Sequence, residues 1–178
     1  RRSSKPMKKL ILCILIVTSI LISQDQLFVG TRPLGMGGAF IAVADDGNTI
    51  TWNPAGLPRL RRKEFTSSYA DLYAMDITHS YTGIVWPFGD RIAVGFDWAN
   101  VGFDDQELSY SENKLNFSIG YQPFKLVSIG GTFKYLSRDM GLDGTSYGKS
   151  TGIGYDIGLL ISPHKKIRFG LGVYDLGG

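Results

Sequence analysis

Cysteine is almost absent: the one in 178 residues, Cys13, lies inside an N-terminal apolar run. The rest of the chain can form no disulfide and offers no thiolate ligand. Histidine is nearly as scarce, and His79 and His164 have no partners at metal-binding spacing. Long apolar runs are missing beyond residue 23, which excludes a helical membrane protein, since a spanning helix needs ~20 such residues. The positive charge is also misleading. The formal net charge is +3, but five of the nineteen basic residues (Arg1, Arg2, Lys5, Lys8, Lys9) precede residue 24, and all sixteen acidic ones follow it. The later chain therefore carries fourteen basic against sixteen acidic residues, a net −2, and has no basic patch for nucleic acid.

The first 23 residues read as a signal peptide. Met7 is followed by Lys8 and Lys9 and then by a run from Leu10 to Ile22, interrupted only by Thr18 and Ser19. That length suits a signal sequence rather than a membrane span, with cleavage expected near Ser23 or Gln24 and residues 1–6 upstream of the true start. All 23 glycines and every Phe, Tyr and Trp lie after it. Glycine and aromatics without long apolar runs suggest β-sheet in lipid.

Residues 24–62 form the second unit. They are apolar enough to be buried, yet Gly35, Gly37, Gly38, Gly47 and Gly56 deny them a long regular element. Asp45 and Asp46 would be costly in a dry core, so they require backbone donors or a polar cavity. Asn53 precedes Pro54 and is pushed to extended geometry, with a side chain able to bond its own backbone. N-P-A-G, from Asn53 through Ala55 to Gly56, thus reads as a rigid corner.

The run G-M-G-G-A-F-I-A-V-A-D-D over residues 35–46, followed by W-N-P-A-G-L from Trp52, resembles the N-terminal hatch of FadL-type outer-membrane proteins, in particular the PorV/PorQ branch. The resemblance implies a plugged transmembrane β-barrel of about fourteen strands in the outer membrane of a diderm bacterium. It implies either passage of hydrophobic, fatty-acid-like molecules or, alternatively, a type IX secretion scaffold that holds secreted protein cargo. Outer-membrane lipid is a partner in both. By the resemblance, Asn53, Pro54 and Ala55 match the hatch corner and Asp45 and Asp46 its acidic pair. A kinked third strand with a lateral gap is also implied, here near Gly95 or residues 100–102.

From residue 63 onward the hydrophobic period becomes two. Ile92, Val94, Phe96 and Trp98 share one face, opposed by Arg91, Ala93, Gly95 and Asp97. The pattern recurs over residues 115–121, 127–135 and 153–161. Strands are expected at about 64–70, 77–86, 91–99, 113–121, 126–136, 151–161 and 167–174. Tight turns at 87–90, 122–125 and 162–166 alternate with long polar loops at 101–112 and 137–150, as in an up-and-down outer-membrane barrel. Seven strands cannot close a barrel, so residues 63–178 read as its first part. Trp86, Phe88, Tyr121 and Phe124 suggest one aromatic girdle, and Trp98, Phe103, Tyr110 and Tyr135 the other. Asp97, Lys134 and Asp156 fall on the small, polar face and are assigned to the lumen. The basic cluster at residues 59–63 precedes the first strand as a solvated loop at the periplasmic rim.

No motif supports an enzyme. Phe40 stands where a dinucleotide fingerprint needs Gly or Ala, and no βαβ unit surrounds it. The run from Asp45 to Asn48 resembles part of a calcium loop, but Gly56 and Leu57 occupy the closing Glu positions. Asp76, His79 and Ser80 suggest a lipase-like group, yet adjacent strand residues point to opposite faces. No cofactor or metal site is expected.

Overall fold

The computed structural model describes residues 30–72, 76–105, 108–142, 145–164 and 166–177. The signal peptide and its cleavage point lie outside the described residues. Three short helical pieces come first: α1 (Thr31–Gly35), α2 (Thr49–Trp52) and a 3-10 turn (Pro54–Arg59). Seven strands follow: β1 (Glu64–Leu72), β2 (Ile77–Phe88), β3 (Ile92–Asp104), β4 (Leu108–Phe124), β5 (Val127–Leu142), β6 (Thr145–His164) and β7 (Ile167–Leu176). They pair in sequence order, all antiparallel, in one sheet. No helix among the described residues is long and apolar enough to cross a membrane.

Alternation divides the sheet into two faces. The inner face packs against residues 30–62 and is buried, with Tyr81, Val85, Ala93, Asp97, Ser128 and Leu160 all fully covered. The outer face is a continuous apolar surface left open. Register aligns its residues in rows across strands: Ile84, Phe96, Phe117, Phe133 and Tyr155 form one, and Trp98, Leu115, Tyr135 and Ile153 the next. Burying such a face in water would need a second layer; exposing it to hydrocarbon needs none.

The apolar band ends abruptly. One row beyond Trp98 the outward positions are Asn100, Asn113, Ser137 and Thr151. Asn100 Nδ2 donates to Asn113 Oδ1 at 3.1 Å, and Trp98 Nε1 donates to the same oxygen at 3.1 Å. The segments read as long polar loops at 101–112 and 137–150 are corrected here: most of their residues continue the ladders as hairpin arms. Only the outward row turns polar there, while the inner face keeps Val101, Phe103, Tyr110 and Met140, so the outward apolar pattern stops although the strand continues.

One further expectation changes. Phe103 and Tyr110 stack on each other at 6.0 Å, and by register they share the inner face with Val101 and Glu112, so they do not belong to an outward girdle. β3 keeps unbroken register with both β2 and β4, so no bulge accompanies Gly95 or residues 100–102. Register shifts fall instead in the β4–β5, β5–β6 and β6–β7 pairs.

Candidate functional site

The chemistry of the chain concentrates where residues 30–62 meet the inner face. α1 ends in a Schellman motif: Gly38 N–H donates to Pro33 O and Gly37 N–H to Leu34 O, both at 2.9 Å. Gly37 and Gly38 adopt φ of 64° and 79°, which a side chain resists. Gly35 has open space around it. Gly56 faces the Ala44 carbonyl so closely that a Cβ would overlap it.

Asp45 and Asp46 are satisfied mainly by side chains rather than by the backbone donors or cavity expected. Arg32 Nη1 reaches Asp45 Oδ1 at 2.8 Å and Asp46 Oδ2 at 2.7 Å. These bonds, first to Asp46 and then to Asp45, raise the Arg32 guanidinium above its ordinary value. Asp46 Oδ1 also accepts from the backbone N–H and the Nδ2 of Asn48, each at 2.8 Å. From β7, Arg168 Nη1 donates to Val43 O at 2.9 Å and approaches Asp45 Oδ2 at 3.4 Å. Nearby, Arg59 donates to Ser162 Oγ at 2.8 Å; burial, and then the charge of Arg168, lower its guanidinium.

The corner seats on the wall. Asn53 is extended (φ −165°), and its Oδ1 accepts from Ala55 N–H at 3.1 Å. Its Nδ2 donates to Ile41 O at 2.9 Å and to Leu159 O on β6 at 3.3 Å. One side chain thus holds the corner, the preceding segment and the sheet. Below it, register places Ala93, Gly120, Gly130, Gly158 and Gly172 in one row across β3 to β7. A Cβ on Gly158 would overlap Asn53 Oδ1, one on Gly130 would overlap Pro54 and Ala55, and one on Gly120 would lie 2.6 Å from Pro54 O. The glycines are absent side chains that make room for the N-P-A backbone. Spacing along the chain gave no sign of this row, because it exists only once register is set.

Asp97 provides the second anchor. It is fully buried, and accepts from Thr51 Oγ1 at 2.9 Å, Asn116 Nδ2 at 2.7 Å and Tyr81 OH at 3.4 Å. Thr51 comes from α2, so this carboxylate ties the segment to β2, β3 and β4. Ile50 beside it fills the space over Gly95, where a Cβ would lie 2.6 Å from its Cγ1. Trp52 packs edge-on against Phe40 at 6.2 Å, and its carbonyl accepts from Tyr174 OH at 2.5 Å.

Lys134 and Asp156 lie on the inner face as assigned, but they are not solvated. Lys134 Nζ sits 2.8 Å from Asp156 Oδ1 and 2.8 Å from Asp175 Oδ1, with Lys134 and Asp156 almost wholly buried. This triad braces β5, β6 and β7 rather than offering a free charge. Asp76, His79 and Ser80 form no catalytic group: His79 is buried on the inner face, while Ser80 faces outward. Among the described residues no cluster of three metal-binding side chains occurs.

No family model and no curated protein matches the chain. Among solved structures, the CymD monoaromatic hydrocarbon channel is similar, with a TM-score of 0.65 at 18% identity over 84% of this chain. The fold is that of a partial outer-membrane barrel. The match covers 53% of that channel, so this chain spans about half its length.

Proposed function

We infer that the chain forms the plug and part of the wall of an outer-membrane channel for hydrophobic small molecules. The observation that carries this reading is the seat: residues 48–58 lie against the inner face on a glycine row, pinned by Asn53 and Asp97. An inner face covered by its own N-terminal segment, behind an apolar outer face, suits a barrel that water must not cross freely. The likeness to a hydrocarbon channel supports the solute class, with small aromatics and fatty acids as the compounds to try. Among the described residues no cluster suits covalent chemistry, and the role proposed is passage rather than catalysis.

The test is uptake by diderm cells whose lipopolysaccharide leaflet is intact, expressing the full-length gene product. Faster entry of a labelled monoaromatic hydrocarbon or long-chain fatty acid than in cells without it supports the reading. Uptake identical to the control for both solute classes would contradict it.

A further inference from the structure

The outer face carries one feature that passage through the interior does not use. A groove of about 560 Å³ opens on that face among Ile84, Trp86 and Phe88 of β2, Val94 and Phe96 of β3, and Phe117 and Ile119 of β4. Its floor is the wall at Gly95 and Ser118. Gly95 has no side chain, and Ser118 turns its hydroxyl inward, to Thr132 Oγ1 at 2.7 Å. The lining is apolar throughout. At its β1 side, beside the middle of the groove, Lys63 places its ammonium 3.4 Å above the Trp86 ring. A cation held over an aromatic face is fixed in position but keeps its outward donors free.

Length identifies the occupant. From Phe88 to Ile84 the groove covers four strand steps, roughly 14 Å at ~3.4 Å each. The hydrocarbon core of a bilayer is ~30 Å thick, so one leaflet is about 15 Å deep. The groove is therefore of the order of one leaflet deep, and beyond Lys63 it holds the first part of an acyl chain that enters from the rim where the strands are joined by short turns. That rim is basic: Arg61, Arg62, Lys63, Arg91, Lys125 and Lys166 stand there against Asp90 and Glu64. Arg61 is paired with Asp90 at 3.0 Å, and Arg62 lies 3.7 Å from Glu64; Lys63 has the Trp86 ring as its contact. The opposite rim carries Asp71, Asp76, Asp104, Asp105 and Asp139, of which Asp139 is paired with Lys149 at 3.0 Å, while Arg138 pairs with Glu112. An anionic headgroup is attracted to the first rim and repelled by the second.

We propose that this groove is a binding site for one anionic glycerophospholipid of the periplasmic leaflet, with its phosphate on Lys63 and an acyl chain along Trp86, Phe96 and Phe117. The site is separate from the interior path and does not rest on the transported solute. It gives the basic stretch before β1 a task that a solvated loop would not have.

The experiment is native mass spectrometry of the full-length protein in mild detergent with added phosphatidylglycerol, and phosphatidylcholine as the zwitterionic comparison. One phosphatidylglycerol should remain bound through detergent exchange. Lys63→Ala should reduce its occupancy about tenfold, Val94→Trp, which fills the groove, should abolish it, and Lys125→Ala on the same rim should leave it unchanged. Heat-dependent gel mobility of each variant shows that it is folded. As a second readout, phosphatidylglycerol brominated on its acyl chain should quench Trp86 in the parent protein more than in Lys63→Ala. Equal occupancy in Lys63→Ala and parent overturns the proposal, and so does equal loss in Lys125→Ala, which would mean diffuse rim charge.

Discussion

Asn53 and Gly158 show how much the seat depends on single residues. Asn53 satisfies a backbone donor and two carbonyls at once, so Asn53→Ala leaves buried groups unpaired. A loss of roughly 1–3 kcal/mol is expected, read as a lower denaturant midpoint of the full-length protein in micelles. Gly158→Val drives a side chain into Asn53 Oδ1, and overpacking of this kind costs typically ~1–3 kcal/mol. Gly152 is the control: it lies on the same strand and face with nothing within 4 Å of a Cβ, and Gly152→Val should move stability by no more than about 0.5 kcal/mol. Equal effects at the two glycines would contradict the seat. The corner itself was legible in the sequence, because Asn before Pro dictates both its extended backbone and its capping side chain. Its receptor was not, since Gly120, Gly130 and Gly158 are far apart in the chain and only pairing aligns them. The acids at Asp45 and Asp46 show a similar limit. Their need for donors could be read, but Arg168, more than 120 positions away, could not be foreseen as one of them.

At the scale of elements, the proposed channel divides its strands into a part in hydrocarbon and a part in water. Phe117 and Asn113 are outward residues of β4 only two rows apart, yet one sits in the apolar band and the other on the polar row above it. Phe117→Lys should therefore destabilise the folded protein in lipid vesicles by ~2–4 kcal/mol, as cations do near the midplane of a barrel wall. Asn113→Lys should cost no more than about 1 kcal/mol. Similar penalties at both sites, measured by reversible unfolding in vesicles, would show that the band is misplaced. The strands were legible where the outer face is apolar, because alternation there sets it off from the small and polar inner face. The arms at 101–112 and 137–150 were not, because the outward row becomes polar there and the apolar residues (Val101, Phe103, Tyr110, Met140) move to the inner face, so the outward pattern stops while the backbone ladder continues. Phe103 and Tyr110 were misassigned because a residue read as loop has no face; once the ladder is extended through 101–112, both fall on the inner side.

For the molecule as a whole, two kinds of attachment hold residues 30–62. The stretch from Asn48 to Pro58 is buried and tied through Asp97 and Asn53, whereas Arg32, Asp45 and Arg168 are partly exposed. Exposed ion pairs contribute ~0–1 kcal/mol each and weaken with salt. Buried hydrogen-bonded anchors lose far more when one partner is removed. High salt should therefore loosen the α1 side while leaving the corner seated, seen as faster amide exchange at residues 31–40 and unchanged exchange at residues 50–57. The measurement that tests the central claim most directly is planar-bilayer conductance of the full-length protein, comparing the parent with an Asn53→Ala, Asp97→Ala double variant. If the segment plugs a barrel, the parent passes no steady ionic current and the double variant, still heat-modifiable, conducts. A parent that conducts as an open pore, or a folded double variant as tight as the parent, would contradict it.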